Sequence, residues 1–296
     1  KLDLTSPEDD VYGATIAMDS SILLGGSMKA LNSYQFDGTH WNQQDPLPLG
    51  APSEQYGASV AFSDGVWVTH VLNHAGAGEL RINGNIFPYD QKPLDYGDFR
   101  TCAPIATNGT VVVAGHPSAD SENGGAVDLY GVVSGEWTKL VGFSNPASHA
   151  NDNFGCSAAI SGDTIVVGAP GADGTAGAVY VFTRSGSTWP LQAKLTASDR
   201  RHDNAFGGAV AISGNQIVVG SIPKRAAYVF TRSGTAWSQT TKVVTSSADT
   251  SNDFSATLAI DGNNLLIGAP NENSGKGAVY GYRKSGSTWM LVNSAI

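Results

Sequence analysis

Short apolar runs of strand length punctuate the chain, among them Thr110-Val111-Val112-Val113-Ala114, Ile165-Val166-Val167 and Ile217-Val218-Val219. Successive positions in these runs are apolar rather than alternating, which fits strands covered on both faces. The stretch from Phe154 shows what surrounds such a run. Phe154-Gly155-Cys156-Ser157-Ala158-Ala159-Ile160 predicts a first strand, Ser161-Gly162-Asp163 a turn, and Thr164-Ile165-Val166-Val167-Gly168-Ala169-Pro170 a second strand. After a loop, Gly177-Ala178-Val179-Tyr180-Val181-Phe182-Thr183 predicts a third strand, Arg184-Ser185-Gly186-Ser187-Thr188 a second hairpin turn, and Trp189 to Leu195 a fourth. The product is one antiparallel meander.

The meander repeats. Units open on an aromatic residue at Tyr12, Tyr56, Phe99, Phe154, Phe206 and Phe254, at spacings of 44, 43, 55, 52 and 48. Trp41, Trp137, Trp189, Trp237 and Trp289 mark the same period, and unit two has Ile86-Phe87 in place of its tryptophan. Several near-identical meanders, each with two covered faces, fit radial stacking, which leaves only short protected edges. The expected fold is therefore an all-β, single-domain β-propeller over residues 1–296, with six four-stranded antiparallel blades near 11–50, 51–94, 95–146, 150–198, 202–247 and 250–296. Lys1-Leu2-Asp3-Leu4-Thr5-Ser6 resembles the end of an outer strand, as in Lys194-Leu195-Thr196-Ala197-Ser198, so residues 1–8 are a candidate closing strand.

Composition narrows the function. A formal charge of −9 and only 15% charged residues disfavour nucleic acid, whose phosphates call for clustered Lys and Arg. No apolar run approaches the roughly 20 residues that span a bilayer, so membrane insertion is not expected. The chain begins at Lys1, as a processed mature protein or an excised fragment would. Its 2 cysteines lack CxxC spacing and suggest at most a pair.

Phe154-Gly155 followed by Gly168-Ala169-Pro170, with Tyr12-Gly13, Phe206-Gly207 and Gly268-Ala269-Pro270 before Gly277-Ala278-Val279-Tyr280, resembles the FG-GAP repeats of integrin α-subunit propellers. The units are more similar still to secreted microbial FG-GAP repeat proteins. The likeness spans the chain and is strongest in units four to six; Gly25-Gly26-Ser27, Thr69-His70-Val71 and Ala114-Gly115-His116-Pro117 stand where the earlier units would carry Gly-Ala-Pro. Integrin propellers have seven blades, a number expected here only if flanking sequence is missing. The resemblance implies extracellular adhesion or ligand binding. It also implies calcium loops of the DxDxDG kind, but Ser161-Gly162-Asp163-Thr164, Ser213-Gly214-Asn215-Gln216 and Asp261-Gly262-Asn263-Asn264 offer at most one carboxylate each, too few for Ca²⁺. No cofactor or metal is expected.

Candidate binding residues fall in two groups. Acids and amides precede each opening aromatic: Asp9 and Asp10, Glu54 and Gln55, Asp95 and Asp98, Asp152, Asp203, and Asn252 with Asp253. They would either ring one face with carboxylates or hold the turns that enter the first strands. Loops between second and third strands, including Ala172-Asp173-Gly174-Thr175 and Pro223-Lys224-Arg225, lie on the same face. With Arg200, Arg201 and His202, the pair Lys224 and Arg225 makes a basic spot fit for an acidic polysaccharide or a sulfate, or a plain solvated loop. The tryptophan series suggests packing before sugar stacking, because it recurs at one structural position. His70 and His74, four apart on a strand, are too distant to share a metal.

Cys102 and Cys156 fall in neighbouring first strands and could form an inter-blade disulfide. Asn108-Gly109-Thr110 is a glycosylation sequon that also reads as a hairpin turn. There is no HExxH, nucleophile elbow or phosphate-cradling loop, so no catalytic residue is expected. The reading is a secreted or cell-surface, non-catalytic adhesion or scaffold protein with an extracellular protein or glycan as partner. A lectin is the second reading and a polysaccharide-active enzyme the third.

Overall fold

The computed structural model describes residues 15–19, 21–26, 31–44, 47, 55–72, 78–89, 105–117, 124–147, 149–245, 247 and 252–295. These form six four-stranded antiparallel sheets, at residues 15–43, 55–89, 105–144, 157–195, 210–244 and 257–295, each with its strands side by side in chain order. The fold is all-β, a six-blade β-propeller. Residue packing divides the chain into two compact units, Lys1–Asp98 with Ile105–Ala114 and Asp128–Gly142, and Phe99–Pro104 with Gly115–Val127 and Phe143–Ile296.

The fourth sheet shows how sequence becomes strand. Its members are Ser157–Ser161, Thr164–Ala169, Ala178–Thr183 and Leu191–Leu195. Ser161 pairs with Thr164, leaving Gly162-Asp163 as a two-residue hairpin whose Gly162 takes φ +54°. The second strand is buried at every position, as its unbroken apolar run requires. Two differences from the sequence reading have simple causes. Phe154-Gly155 stands outside the first strand because Gly155 adopts φ +93°. Pro190, which has no N–H to donate, keeps the fourth strand from starting at Trp189. A bulge falls at the same place in three sheets, between Val181 and Phe182, Val229 and Phe230, and Gly281 and Tyr282.

In the second unit, each opening aromatic lies edge-on against a tyrosine of its own third strand. Phe154 meets Tyr180 at 5.5 Å and 76°, Phe206 meets Tyr228 at 5.4 Å and 70°, and Phe254 meets Tyr280 at 5.3 Å and 70°. All three phenylalanines are fully buried. Burial of such a ring is worth about 2–3 kcal/mol.

The residue after each ring joins two sheets. Gly207 donates its N–H to Gly220 O of its own sheet at 3.0 Å, while its carbonyl rests against Gly168 of the preceding sheet. A Cβ on Gly168 would collide with that oxygen, as one on Gly115 would with Gly155 O and one on Gly220 with Ser255 O. A second glycine completes two of these junctions: Gly125 bridges Phe154, and Gly177 bridges Phe206, in short parallel pairings that leave no room for a side chain. The Phe-Gly openers of the fourth and fifth sheets are thus each clasped by two glycines of the sheet before, and the Phe254-Ser255 opener of the sixth by Gly220 alone. Apolar side chains fill the space behind, with Val166, Val179 and Val181 packed on Phe206, Ile217, Val219 and Tyr228. Val218, Ala227 and Val229 pack likewise on Phe254, Leu265 and Ile267.

Candidate functional site

The second-to-third connections of the fourth and sixth sheets are single turns, Ala172–Thr175 and Glu272–Gly275, each with three residues at left-handed φ, Asp173, Gly174 and Thr175 in one, Asn273, Ser274 and Gly275 in the other. The sequence reading anticipated loops here, and the left-handed residues explain why neither turn continues as a helix.

The segment entering the fifth sheet grips the first of these turns. Asp173 receives Lys194 Nζ at 2.9 Å and the Arg200 guanidinium at 3.0 Å. His202 Nδ1 lies 2.7 Å from Gly174 O. Thr175 Oγ1 donates to Asp203 Oδ1 at 2.8 Å and accepts from the Asp203 N–H at 3.0 Å. Burial works against the charge of Lys194, yet Asp173 and Tyr180 together outweigh that and hold its pKa above the usual value. Arg200, Arg201, His202 and Asp203 stay exposed on this anchored turn.

A second polar cluster lies beside it. Asp199 accepts from Tyr228 OH at 2.9 Å and from Lys242 Nζ at 2.6 Å, and Lys242 also lies 5.4 Å from the centre of the Tyr228 ring. Burial pushes the Tyr228 hydroxyl up, and the neighbouring carboxylate adds to it. Burial also opposes ionisation of Asp199, but the bonds from Lys242 and Tyr228 prevail and hold its carboxyl below the ordinary range.

The other predicted residues take structural positions. Asp152 is buried and accepts from Asn145 Nδ2 at 2.9 Å. Asp253 accepts from Asn271 Nδ2 at 2.5 Å. Asn252 accepts the Phe254 N–H at 3.1 Å and donates to Glu272 at 2.8 Å; Glu272 also takes bonds from Ser247 and Tyr280. The first group braces the entry segment of the fourth sheet internally, and the other two tie the entry of the sixth sheet to that sheet's own second-to-third connection. Arg225 reaches Ser247 O at 3.4 Å, whereas Arg200 reaches Asp173, and Lys224 is half-buried. The basic spot is therefore divided, with Arg200 and His202 engaged on the fourth sheet's turn and Arg225 directed to the sixth sheet's entry.

Asn108 uses its Oδ1 to hold its own turn, accepting from the backbone of Thr110 and Val111 at 3.1 and 2.9 Å. Cys156 is buried and its sulfur is not a free thiol. Cys102, Asp9, Asp10, Glu54, Asp95, Asp98 and His74 lie outside the described residues, as does the side chain of Gln55. Among the described residues no three His, Cys, Asp or Glu gather as a metal site, and no helix is long and apolar enough to cross a membrane. Trp189 and Trp289 are buried, and Arg184, Arg232 and Lys284 lie over Trp189, Trp237 and Trp289 at 5.9, 5.1 and 5.9 Å. The sequence reading passed over Lys194, Asp199, Tyr228 and Lys242. Their signal was present, because Lys194 and Lys242 each stand five residues after a series tryptophan and opposite a tyrosine of the third strand.

The FG-GAP repeat family matches residues 137–182, 189–236 and 237–282. The chain is a β-propeller that carries FG-GAP repeats in these three segments. Each matched segment of this propeller starts on the outer strand of one sheet and runs through the clasp into the next, so the family's unit contains the junction described above. No curated protein sequence matches the chain. Solved structures share the fold: Hsv2 of Kluyvelomyces marxianus, at TM-score 0.56 and 11% identity, covers 94% of this chain and 76% of its own. Sqt1 of Saccharomyces cerevisiae, at TM-score 0.53 and 11% identity, covers 95% and 86%.

Proposed function

We propose that this FG-GAP propeller is a non-catalytic binding or scaffold protein of the extracellular space or cell surface, and that it engages an acidic protein or glycan surface through residues 173–175 and 200–203. The observation that carries this reading is the anchored turn. Asp173, Thr175 and the Gly174 carbonyl are tied down by Lys194, Arg200, His202 and Asp203, while Arg200 and Arg201 remain exposed. A partner meeting it pays little ordering entropy. FG-GAP propellers are typically non-catalytic, which supports the same reading. The tryptophans support the adhesion or scaffold reading over a lectin, because Trp189 and Trp289 are buried under cations and offer no open face to a sugar ring.

The extracellular assignment draws on Cys156, whose only cysteine partner in the chain is Cys102; we propose a bridge between them, as oxidising compartments favour. Two arms test the proposal. Passage over acidic polysaccharides and acidic extracellular proteins should show salt-sensitive retention, weakened severalfold in Arg201→Glu with unchanged melting. Equal retention of the variant, or none by the parent, overturns the site. Thiol titration of denatured, unreduced protein should find no reactive thiol; two would remove the support for secretion.

A further inference from the structure

The third-to-fourth hairpin of the fifth sheet reaches back onto the fourth. Ile217 pairs with Phe230, and beyond that level the hairpin runs on through Arg232 opposite Trp237 to Ser233 opposite Ala236. Trp237 packs on the apolar core that the two sheets share, and its Nε1–H donates to Gln192 Oε1 of the fourth sheet at 2.8 Å. Arg232 covers its ring and bonds Thr164 Oγ1 of the fourth sheet at 3.1 Å. An indole from one sheet is thus seated against the sheet before it.

The second sheet has no such indole for the first. Trp67 pairs with Phe62 as Ile217 pairs with Ile212, so Trp67 and Ile217 hold the same place. Opposite Trp67, where Phe230 would stand, the chain already turns. Asn83 donates its N–H to Trp67 O at 3.1 Å and accepts the Trp67 N–H on Oδ1 at 2.9 Å. Asn83 and Gly84 take φ +48° and +85°, the two left-handed values of a tight hairpin that Asn-Gly favours. The arm that carries Arg232 and Trp237 in the fifth sheet therefore has no counterpart. Phe87, close to the missing tryptophan in the repeat, lies instead against Tyr130 of the third sheet, with ring centres 4.9 Å apart.

A cavity of about 200 Å³ is left between the first and second sheets, both within one compact unit. Ile22, Leu24 and Ser33 line it from the first sheet and Phe62 and Trp67 from the second, with the exposed Gln44 beside them. Leu24 and Ser33 pair as Val166 and Val181 do, and Ile22 has the place of Thr164. Gln44 follows the residue paired with Tyr34 as Gln192 follows the residue paired with Phe182. Its Nε2 donates to Asn42 O at 3.0 Å, and its Oε1 has no donor among the described residues. The acceptor that takes the Trp237 N–H in one junction is thus present and open in the other, while Ile22 offers a cation nothing in place of the Thr164 hydroxyl.

We propose that this cavity is a binding site for a neutral indole ring, which would lie against Leu24 and Trp67 and donate its N–H to Gln44 Oε1. A space of about 150 Å³ already admits benzene, and the larger cavity has room for the fused second ring. Apolar and aromatic walls with one placed acceptor are the usual make-up of such a site.

Titration calorimetry of the full chain with indole tests it, and saturable binding is expected. 1-Methylindole, which has no N–H, should bind about fivefold more weakly. Gln44→Ala, at an exposed position, should leave melting unchanged, weaken indole by a similar factor and have little effect on 1-methylindole. N-acetyltryptophanamide distinguishes the source of the ring. If it binds as indole does, the site takes a tryptophan side chain of a partner polypeptide; if indole alone binds, the site takes a free small molecule. No binding of indole up to its solubility, or binding indifferent to N-methylation or to Gln44→Ala, overturns the inference.

Discussion

At the scale of single residues, the conspicuous polar side chains hold connections in place. Asp199 is the clearest case, because it takes bonds from both Tyr228 and Lys242 and its carboxyl is held below the ordinary range. The sign of its effect follows from that direction. Its stabilisation is complete above the unfolded-state value near 4 and disappears as pH falls through the lower folded value. With the carboxylate 40% exposed, solvent screening keeps the contribution to roughly 0.5–1 kcal/mol. Asp199→Asn is therefore expected to lose about that much at pH 7 and to show a flatter stability profile than the parent below about pH 4. Denaturant melts at three pH values check it, and a parallel acid-side slope in the variant would show the group to be idle.

At the scale of the element, the hairpin between third and fourth strands carries a repeated device in which a cation covers the tryptophan at the approach to the outer strand. Arg232 does most with it, lying over Trp237 while bonding Asn215 Oδ1 at 2.8 Å and Thr164 Oγ1 of the preceding sheet at 3.1 Å. Arg232→Ala should cost about 1–2 kcal/mol, and Arg232→Lys should recover less than half, because a lysine cannot make both bonds from a planar group. Thermal melts of the two variants decide. The elements themselves were legible in the sequence, since unbroken apolar runs between glycine turns have few other solutions. The connections were not. Nothing local announces that Asp173 and Asn273 take left-handed φ, or that Asp203 finds its partner in Thr175, 28 residues away. The acids before the opening aromatics were visible, but their partners Thr175, Asn271 and Glu272 come from other connections, and such pairings exist only once the sheets have formed.

At the scale of the whole molecule, the FG-GAP signature is a statement about junctions. Phe and Gly open one sheet, and the glycine of Gly-Ala-Pro with the glycine before the third strand receives them from the sheet before. Any Cβ at the receiving positions would strike backbone, which cannot yield as a side chain can. The repeat therefore specifies scaffold, and binding is left to the connections at its rim. One comparison tests this most directly. Gly177 and Gly186 both take left-handed φ, +83° and +62°, but a Cβ at Gly177 would meet the Phe206 backbone and one at Gly186 would meet nothing. Backbone strain of about 1 kcal/mol is common to both alanine variants, so the difference isolates the clasp. Denaturant unfolding is expected to show Gly177→Ala at least about 2 kcal/mol less stable than Gly186→Ala. Equal losses for the two would contradict the junction account.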